Sequence, residues 1–315
     1  MVYSSKNSTS STYRARMTGL PEIRSVKELS HLLRIPESTL HSFSKKNHTI
    51  GYVEFCIPKK PNGFRVIHAP VRTLKYIQAW ILQNILYHFK SHKSATGFEK
   101  GCSILENAKP HAGQSYAINV DIKDFFNSIS SDKVFNLFST IGYEREIAWI
   151  LTNLVTFKGH LPQGSPCSPK IANLICHRLD ARIYGFCKTK NMQYSRYADD
   201  ITISTSHRKN ISQTLRFINN VIEYENFSLR NEKTNVFGRG NAKIITGLVV
   251  SNEIRVGREK YREIRAKMYK AIKEDDKYEK EYLDGYLNFL KGVDAKTHQL
   301  LITYQEKITK KLKSI

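Results

Sequence analysis

At 315 residues the chain can form one large domain or about two of ordinary size, and its 40% hydrophobic content supports a real core. An excess of 50 Lys and Arg over 28 Asp and Glu gives a net charge of +22, with 17 Tyr and 15 Phe interleaved, which points to a nucleic-acid partner whose phosphates and bases such residues bind. No apolar run approaches the ~20 residues of a membrane span, the opening MVYSSKNSTSSTYRARM lacks a secretory core, and five scattered cysteines without a C-x-x-C pair argue against zinc or a disulfide framework and for the cytoplasm.

The first residues read as mobile. SVKELSHLLRIPESTLHSFSK (25–45) predicts two short helices broken at Pro36, the second starting near Glu37 or Ser38. YVEFCIPKKPNGFRVIHAP (52–70) predicts a β-hairpin turning at Pro-Asn-Gly, 61–63. Residues 73–90 predict an amphipathic helix with Leu74, Ile77, Ile81, Ile85 and Phe89 on one stripe. SYAINVDI (115–122) reads as a buried strand reaching Asp121, and two helical patterns follow it. After the loop GHLPQGSPCSPK, Ile171, Leu174, Ile175, Leu179 and Ile183 keep one helical stripe, with Ser168 as N-cap and Pro169 as the first helical residue. A hairpin around Asp199-Asp200, a helix near 209–224, short strands near 234–250 and a basic helical end complete an α+β pattern.

The stretch QYSRYADDITIS (193–204) sets two carboxylates side by side among strand formers. In a regular strand, successive side chains face opposite ways, so both reach one ligand only at the tip of a hairpin. Exposed aspartates are common in turns, but Asp121 also ends an apolar strand, where a charge has little reason to be. Three converging carboxylates repel unless cations neutralise them. Hard divalent ions take such oxygen ligands together with substrate phosphates, and a pair of them suits in-line nucleotidyl transfer.

In this order the motifs resemble those of reverse transcriptases: KKPNGFRVIHAP, NVDIKDFF, LPQGSPCSP, YADD, LRNEKT (229–234) and ITGLVVS (245–251). The resemblance implies a right-hand polymerase fold of fingers, palm and thumb, here 51–245 for fingers and palm and 246–315 for an RNA-binding thumb, behind an N-terminal helical extension at 1–50. It implies that Asp121, Asp199 and Asp200 bind two catalytic Mg²⁺ ions, with the Ile122 carbonyl as one further ligand. Arg65 and either Lys59 or Lys60 would hold the triphosphate of a dNTP, Gln163 and Gly164 would flank the nucleotide, and Lys233 would sit near the leaving phosphate. Phe126 matches the steric gate that rejects a ribose 2′-OH, although either it or Phe125 must pack inward.

TGFEKGCSILENAKPHAG (96–113) is similar to the retron branch, whose N-A-x-x-H pattern appears as Asn107, Ala108 and His111; its V-T-G appears as Ile245-Thr246-Gly247, with Ile for Val. No maturase, endonuclease or ribonuclease H segment is visible. This branch implies a structured noncoding RNA as template and primer, a branched DNA product (msDNA) started from an internal 2′-OH, and an effector protein in antiphage defence. The sequence also admits a group II intron-like or diversity-generating enzyme, and a non-catalytic RNA-binding protein on a polymerase scaffold. On the C-terminal helix, Tyr261, Ile264, Met268 and Ile272 form a packing stripe that leaves Lys260, Lys267 and Lys270 for phosphates.

Overall fold

The computed structural model describes residues 19–45, 50–59, 63–208 and 211–313. The N-terminal segment expected to be mobile, Lys60 and most of the Pro-Asn-Gly turn lie outside these residues.

The chain opens with α1 (Val26–Leu33) and α2 (Glu37–Ser44), split at Pro36 as predicted; the Ser25 side chain caps α1 by accepting from the Glu28 N–H. Their apolar stripes, Leu29, Leu33 and Leu40 among them, enter the main core. Strands β1 (Tyr52–Pro58) and β2 (Phe64–Pro70) pair antiparallel as an outlying hairpin. Helix α3 (Arg72–Asn84) ends earlier than the periodicity suggests, at Ile85 with φ −120°, and a 3₁₀ turn at Leu86–His88 leads on to Phe89.

At the centre lies an antiparallel sheet in the order β4-β5-β3-β6, built from β3 (Tyr116–Asp121), β4 (Gln193–Tyr197), β5 (Asp200–Thr205) and β6 (Asn235–Phe237). Helices α5 (Ser131–Ile141) and α6 (Arg145–Val155) pack on each other and into the main core, as does α9 (Ile211–Tyr224). The long helix expected after the loop is two, α7 (Ser168–Ile175) and α8 (His177–Thr189), broken at Cys176 where ψ is 0°. Ser168 is the first helical residue rather than the cap, because its hydroxyl donates to the Pro162 carbonyl at 2.8 Å and so ties the preceding loop down.

A second core is separate from the first. It gathers β7 (Lys243–Ile245), β8 (Leu248–Val250) and β9 (Ile254–Val256) with α10 (Arg258–Lys273), α11 (Lys277–Val293) and α12 (Ala295–Lys313). On α10, Ile264 and Met268 are buried and Tyr261 and Ile272 pack beside them, as the stripe predicts. One short element bridges the two bodies. Helix α4 (Ile104–Ala108) sends Ala108 into the second core, while Asn107 and the following His111 reach the central sheet. Among the described residues no helix is long and apolar enough to cross a membrane.

Candidate active site

The register of the central sheet brings the acidic residues together. Asp121 at the end of β3 is the cross-strand partner of Asp200 at the start of β5, and partners opposite each other share a face with Cβ atoms ~4.5–5.5 Å apart. The β4–β5 connection is a two-residue turn, Ala198-Asp199, since Tyr197 pairs with Asp200. Ala198 has φ +57°, which lets the turn close tightly enough for the Asp199 carbonyl to accept from the Ile122 N–H at 3.0 Å. Both hairpin aspartates therefore stand beside Asp121.

Their charges are only partly compensated. Asp121 is buried; its Oδ2 accepts from Lys233 Nζ at 2.8 Å, and its Oδ1 lies 3.0 Å from Arg230 Nη1 but out of hydrogen-bond alignment. Desolvation and then the neighbouring Asp121 raise the Asp199 carboxyl above its ordinary value. Desolvation, Asp199 and Asp121 together push Asp200 up to about 6. Among the described residues no three His, Cys, Asp or Glu side chains are already gathered to hold an ion. The two basic side chains draw the Asp121 oxygens to themselves instead.

The site opens on a cleft of about 710 Å³ whose lining includes Lys59, Arg65, Phe126, Gln163, Gly164, Asp199 and Lys233. Seven of the residues singled out from the sequence thus share one concavity. Of the adjacent phenylalanines, Phe125 is buried in the core and Phe126 is half-buried against it, and both line the cleft. Gly164 permits a close approach, but to the protein itself: at φ +129° its Cβ would lie 2.6 Å from the His68 carbonyl oxygen, where β2 crosses the loop. The Gln163 carbonyl accepts from the His68 N–H at 2.8 Å, which fixes the hairpin of β1 and β2 to that loop.

Lys260, Lys267 and Lys270 are not the free cations expected of them. Lys260 pairs with Glu263 at 2.9 Å, Lys267 with Glu279 at 3.0 Å and Lys270 with Glu274 at 3.8 Å. Glu263 and Glu274 lie one turn from Lys260 and Lys270, a spacing the sequence already carries, whereas the pairing of Lys267 with Glu279 on α11 needs the fold. The solvent-exposed Lys260–Glu263 and Lys270–Glu274 pairs are weak.

Several residues of the site carry no motif of their own. Arg196, fully buried, makes a bidentate pair with Asp180 at 2.7 Å for both bonds, and its Nη1 donates to Asn173 at 3.1 Å and to the Ala198 carbonyl at 3.0 Å. It therefore holds the turn that carries Asp199. Gly97 packs against the same turn, and a Cβ there would come within 2.6 Å of the Ala198 nitrogen. Nothing in the polar run QYSRY marks Arg196 in the way the apolar run AINVD marks Asp121; its burial is a property of the fold.

The N-A-x-x-H segment lies behind the hairpin. His111, fully buried, hydrogen-bonds Ser204 through Nδ1 at 2.7 Å and Ser195 through Nε2 at 2.8 Å, joining β5 to β4 from the back. Burial drives its pKa down to about 3, so the ring is neutral. The Ile245-Thr246-Gly247 turn has positive φ at Thr246 and Gly247, and the Thr246 hydroxyl donates to the Ile104 carbonyl at 3.4 Å. These two segments meet at the joint between the cores.

Comparison with known proteins agrees with this geometry. The family model described as reverse transcriptase (RNA-dependent DNA polymerase) matches residues 57–279. The Retron Ec86 reverse transcriptase of Escherichia coli is 40% identical over 304 residues, 95% of this chain and 94% of that protein. The chain belongs to the retron reverse transcriptases. The Retron Mx65 reverse transcriptase of Myxococcus xanthus is 31% identical, covering 90% of this chain and 71% of the relative. The family's reaction is RNA-directed DNA polymerisation, and its right-hand fold accounts for the mixed helix and sheet content, the outlying hairpin and the separate helical body.

Proposed function

We propose that this reverse transcriptase binds a structured noncoding RNA and copies part of it into DNA from an internal 2′-OH, yielding branched msDNA. Residues 51–245 serve as fingers and palm and 246–315 as the RNA-binding thumb, except that β7 (Lys243–Ile245) joins the thumb's core, and 1–50 is an extension whose helices α1 and α2 pack into the main core. The observation that carries the polymerase reading is the cross-strand pairing of Asp121 with Asp200, one residue from Asp199, which itself lines a basic cleft.

Two Mg²⁺ ions, when bound, supply an activated hydroxyl nucleophile and a stabilised pyrophosphate leaving group. Asp121, Asp199 and Asp200 would hold them. These carboxylates suit such ions, since Asp121 Oδ1 is buried without an aligned hydrogen bond, and desolvation and mutual repulsion, which a bound cation would offset, make Asp199 and Asp200 ionise reluctantly. Lys233 and Arg230 stand in at Asp121 until then, and Lys233 afterwards faces the leaving phosphate. Arg65 and Lys59, with Lys60 as the alternative, grip the triphosphate by charge-assisted bonds. Gln163 and Gly164 border the nucleotide, and Phe126 closes the sugar pocket to a 2′-OH. Lys260, Lys267 and Lys270 release their glutamates to meet the phosphates of an RNA stem, which is read through shape and backbone.

The resemblance to Retron Ec86 reverse transcriptase supports this over a group II intron-like enzyme, because similarity spans both bodies rather than the catalytic segment alone. We further propose that the enzyme acts in the cytoplasm, in antiphage defence with an effector protein. Sequencing and debranching the nucleic acid that co-purifies with the protein tests the reading. DNA joined 2′–5′ to RNA is expected; linear cDNA on an ordinary primer would overturn the retron-type priming.

A further inference from the structure

Two aromatic rings, Phe98 and Phe126, edge the cleft beside the hairpin, and Phe98 also neighbours Tyr197 at the end of β4. The Phe98 ring centroid lies 6.1 Å from that of Phe126 and 6.3 Å from that of Tyr197. Phe98 is 45% exposed, so burial does not account for its position. Its φ is +63°, a left-handed conformation that bulky side chains avoid.

The surrounding structure imposes that conformation. The Thr96 N–H donates to the Arg196 carbonyl at 2.9 Å, and Asn173 Nδ2 donates to the Gly97 carbonyl at 2.8 Å. Gly97 itself is pressed against Ala198. Strain of this kind persists where neighbouring contacts over-determine it, and it gathers at functional sites. Here its effect is to turn an aromatic ring out of the core and set it against Phe126 at the mouth of the cleft.

We propose that Phe98 is the second half of the sugar gate, a positioning residue whose ring backs Phe126 and so sets the preference for deoxynucleotides over ribonucleotides. The inference rests on Phe126 being the gate. Phe125 and the core support the Phe126 ring on one side, at a centroid distance of 5.4 Å from Phe125, and Phe98 is the aromatic neighbour on the cleft. Phe98 holds the ring from that side, and aromatic pairs of this geometry resist separation.

The test measures incorporation of dTTP and UTP by the full-length enzyme on a primed RNA template under single-turnover conditions. The readout is the ratio of the two specificity constants, in which the fraction of folded enzyme cancels. Phe98→Ala should lower discrimination against UTP by roughly 3- to 10-fold, the weight of one aromatic pair. Phe98→Tyr should retain it. Phe126→Ala should lower discrimination further, and Phe98→Ala added to it should have no additional effect. Equal losses with both nucleotides in Phe98→Ala would overturn the inference while leaving the gate in place. An unchanged ratio in Phe126→Ala would remove the gate reading and the inference with it.

Discussion

Replacing Arg196 by Met removes a buried guanidinium with four hydrogen bonds, two to Asp180, one to Asn173 and one to the Ala198 carbonyl. Asp180 is itself wholly buried and would keep only the Tyr194 hydroxyl, which donates to its Oδ1 at 2.6 Å. Breaking a buried pair from one side costs about 3–5 kcal/mol, chiefly because an uncompensated charge stays behind. Adding Asp180→Asn removes that charge and keeps an acceptor for Tyr194, so the double variant should regain at least half of the loss. Activity should part from stability. The Ala198 carbonyl stays unheld in both variants, and a displacement of ~1 Å at reacting groups can cost about 100-fold in rate. Urea denaturation gives the stabilities. Hydrogen exchange of β4 and β5 amides accompanies it, because two cores need not unfold together. Primer extension gives kcat. A single variant costing under ~1 kcal/mol, or a double variant no more stable than the single one, would refute the charge argument. Full recovery of kcat in the double variant would refute the role assigned to the Ala198 contact.

Asp199→Asn should lower primer extension by about a thousandfold or more, as expected when transition-state charge loses its stabilisation, with RNA binding by filter assay unchanged. Asp200, held near 6 against an ordinary value of 3.8, is easier to protonate folded than unfolded, so the metal-free protein should lose stability as pH rises from about 4 to 6. Mg²⁺ should reverse that trend, bind more weakly at pH 5.5 than at 7.5, and show less pH dependence in Asp200→Asn, all readable by calorimetry. His111 has the opposite sign: its pKa is depressed to about 3, so its contribution is intact above about 6.5 and lost as pH falls through the acid range. His111→Leu should cost about 1–3 kcal/mol by removing the His111 partner of the Ser204 hydroxyl and one of two partners of Ser195, which keeps the Asn107 carbonyl, and should flatten the acid side of the stability profile. Gly97→Ala, which forces a Cβ against the Ala198 nitrogen, should reduce kcat more than nucleotide KM in steady-state extension.

The sequence by itself determined the identity of the acidic residues, the strand that ends in Asp121, the hairpin that carries Asp199 and Asp200, and the stripe that packs α10. Each is a short-range property, because hairpin turns and 2- or 3.6-residue periodicities are written in neighbours along the chain. Only the tertiary structure decided what these residues meet. Arg230 and Lys233 reach Asp121 from more than a hundred positions away, Asp180 neutralises Arg196 from a separate helix, and Gly164 meets the His68 carbonyl from a distant strand. The same holds for the glutamate that claims Lys267 from across the boundary between α10 and α11. Which partner a charge finds depends on sheet register and helix packing, and those are settled by burial of the core as a whole, which no local pattern encodes.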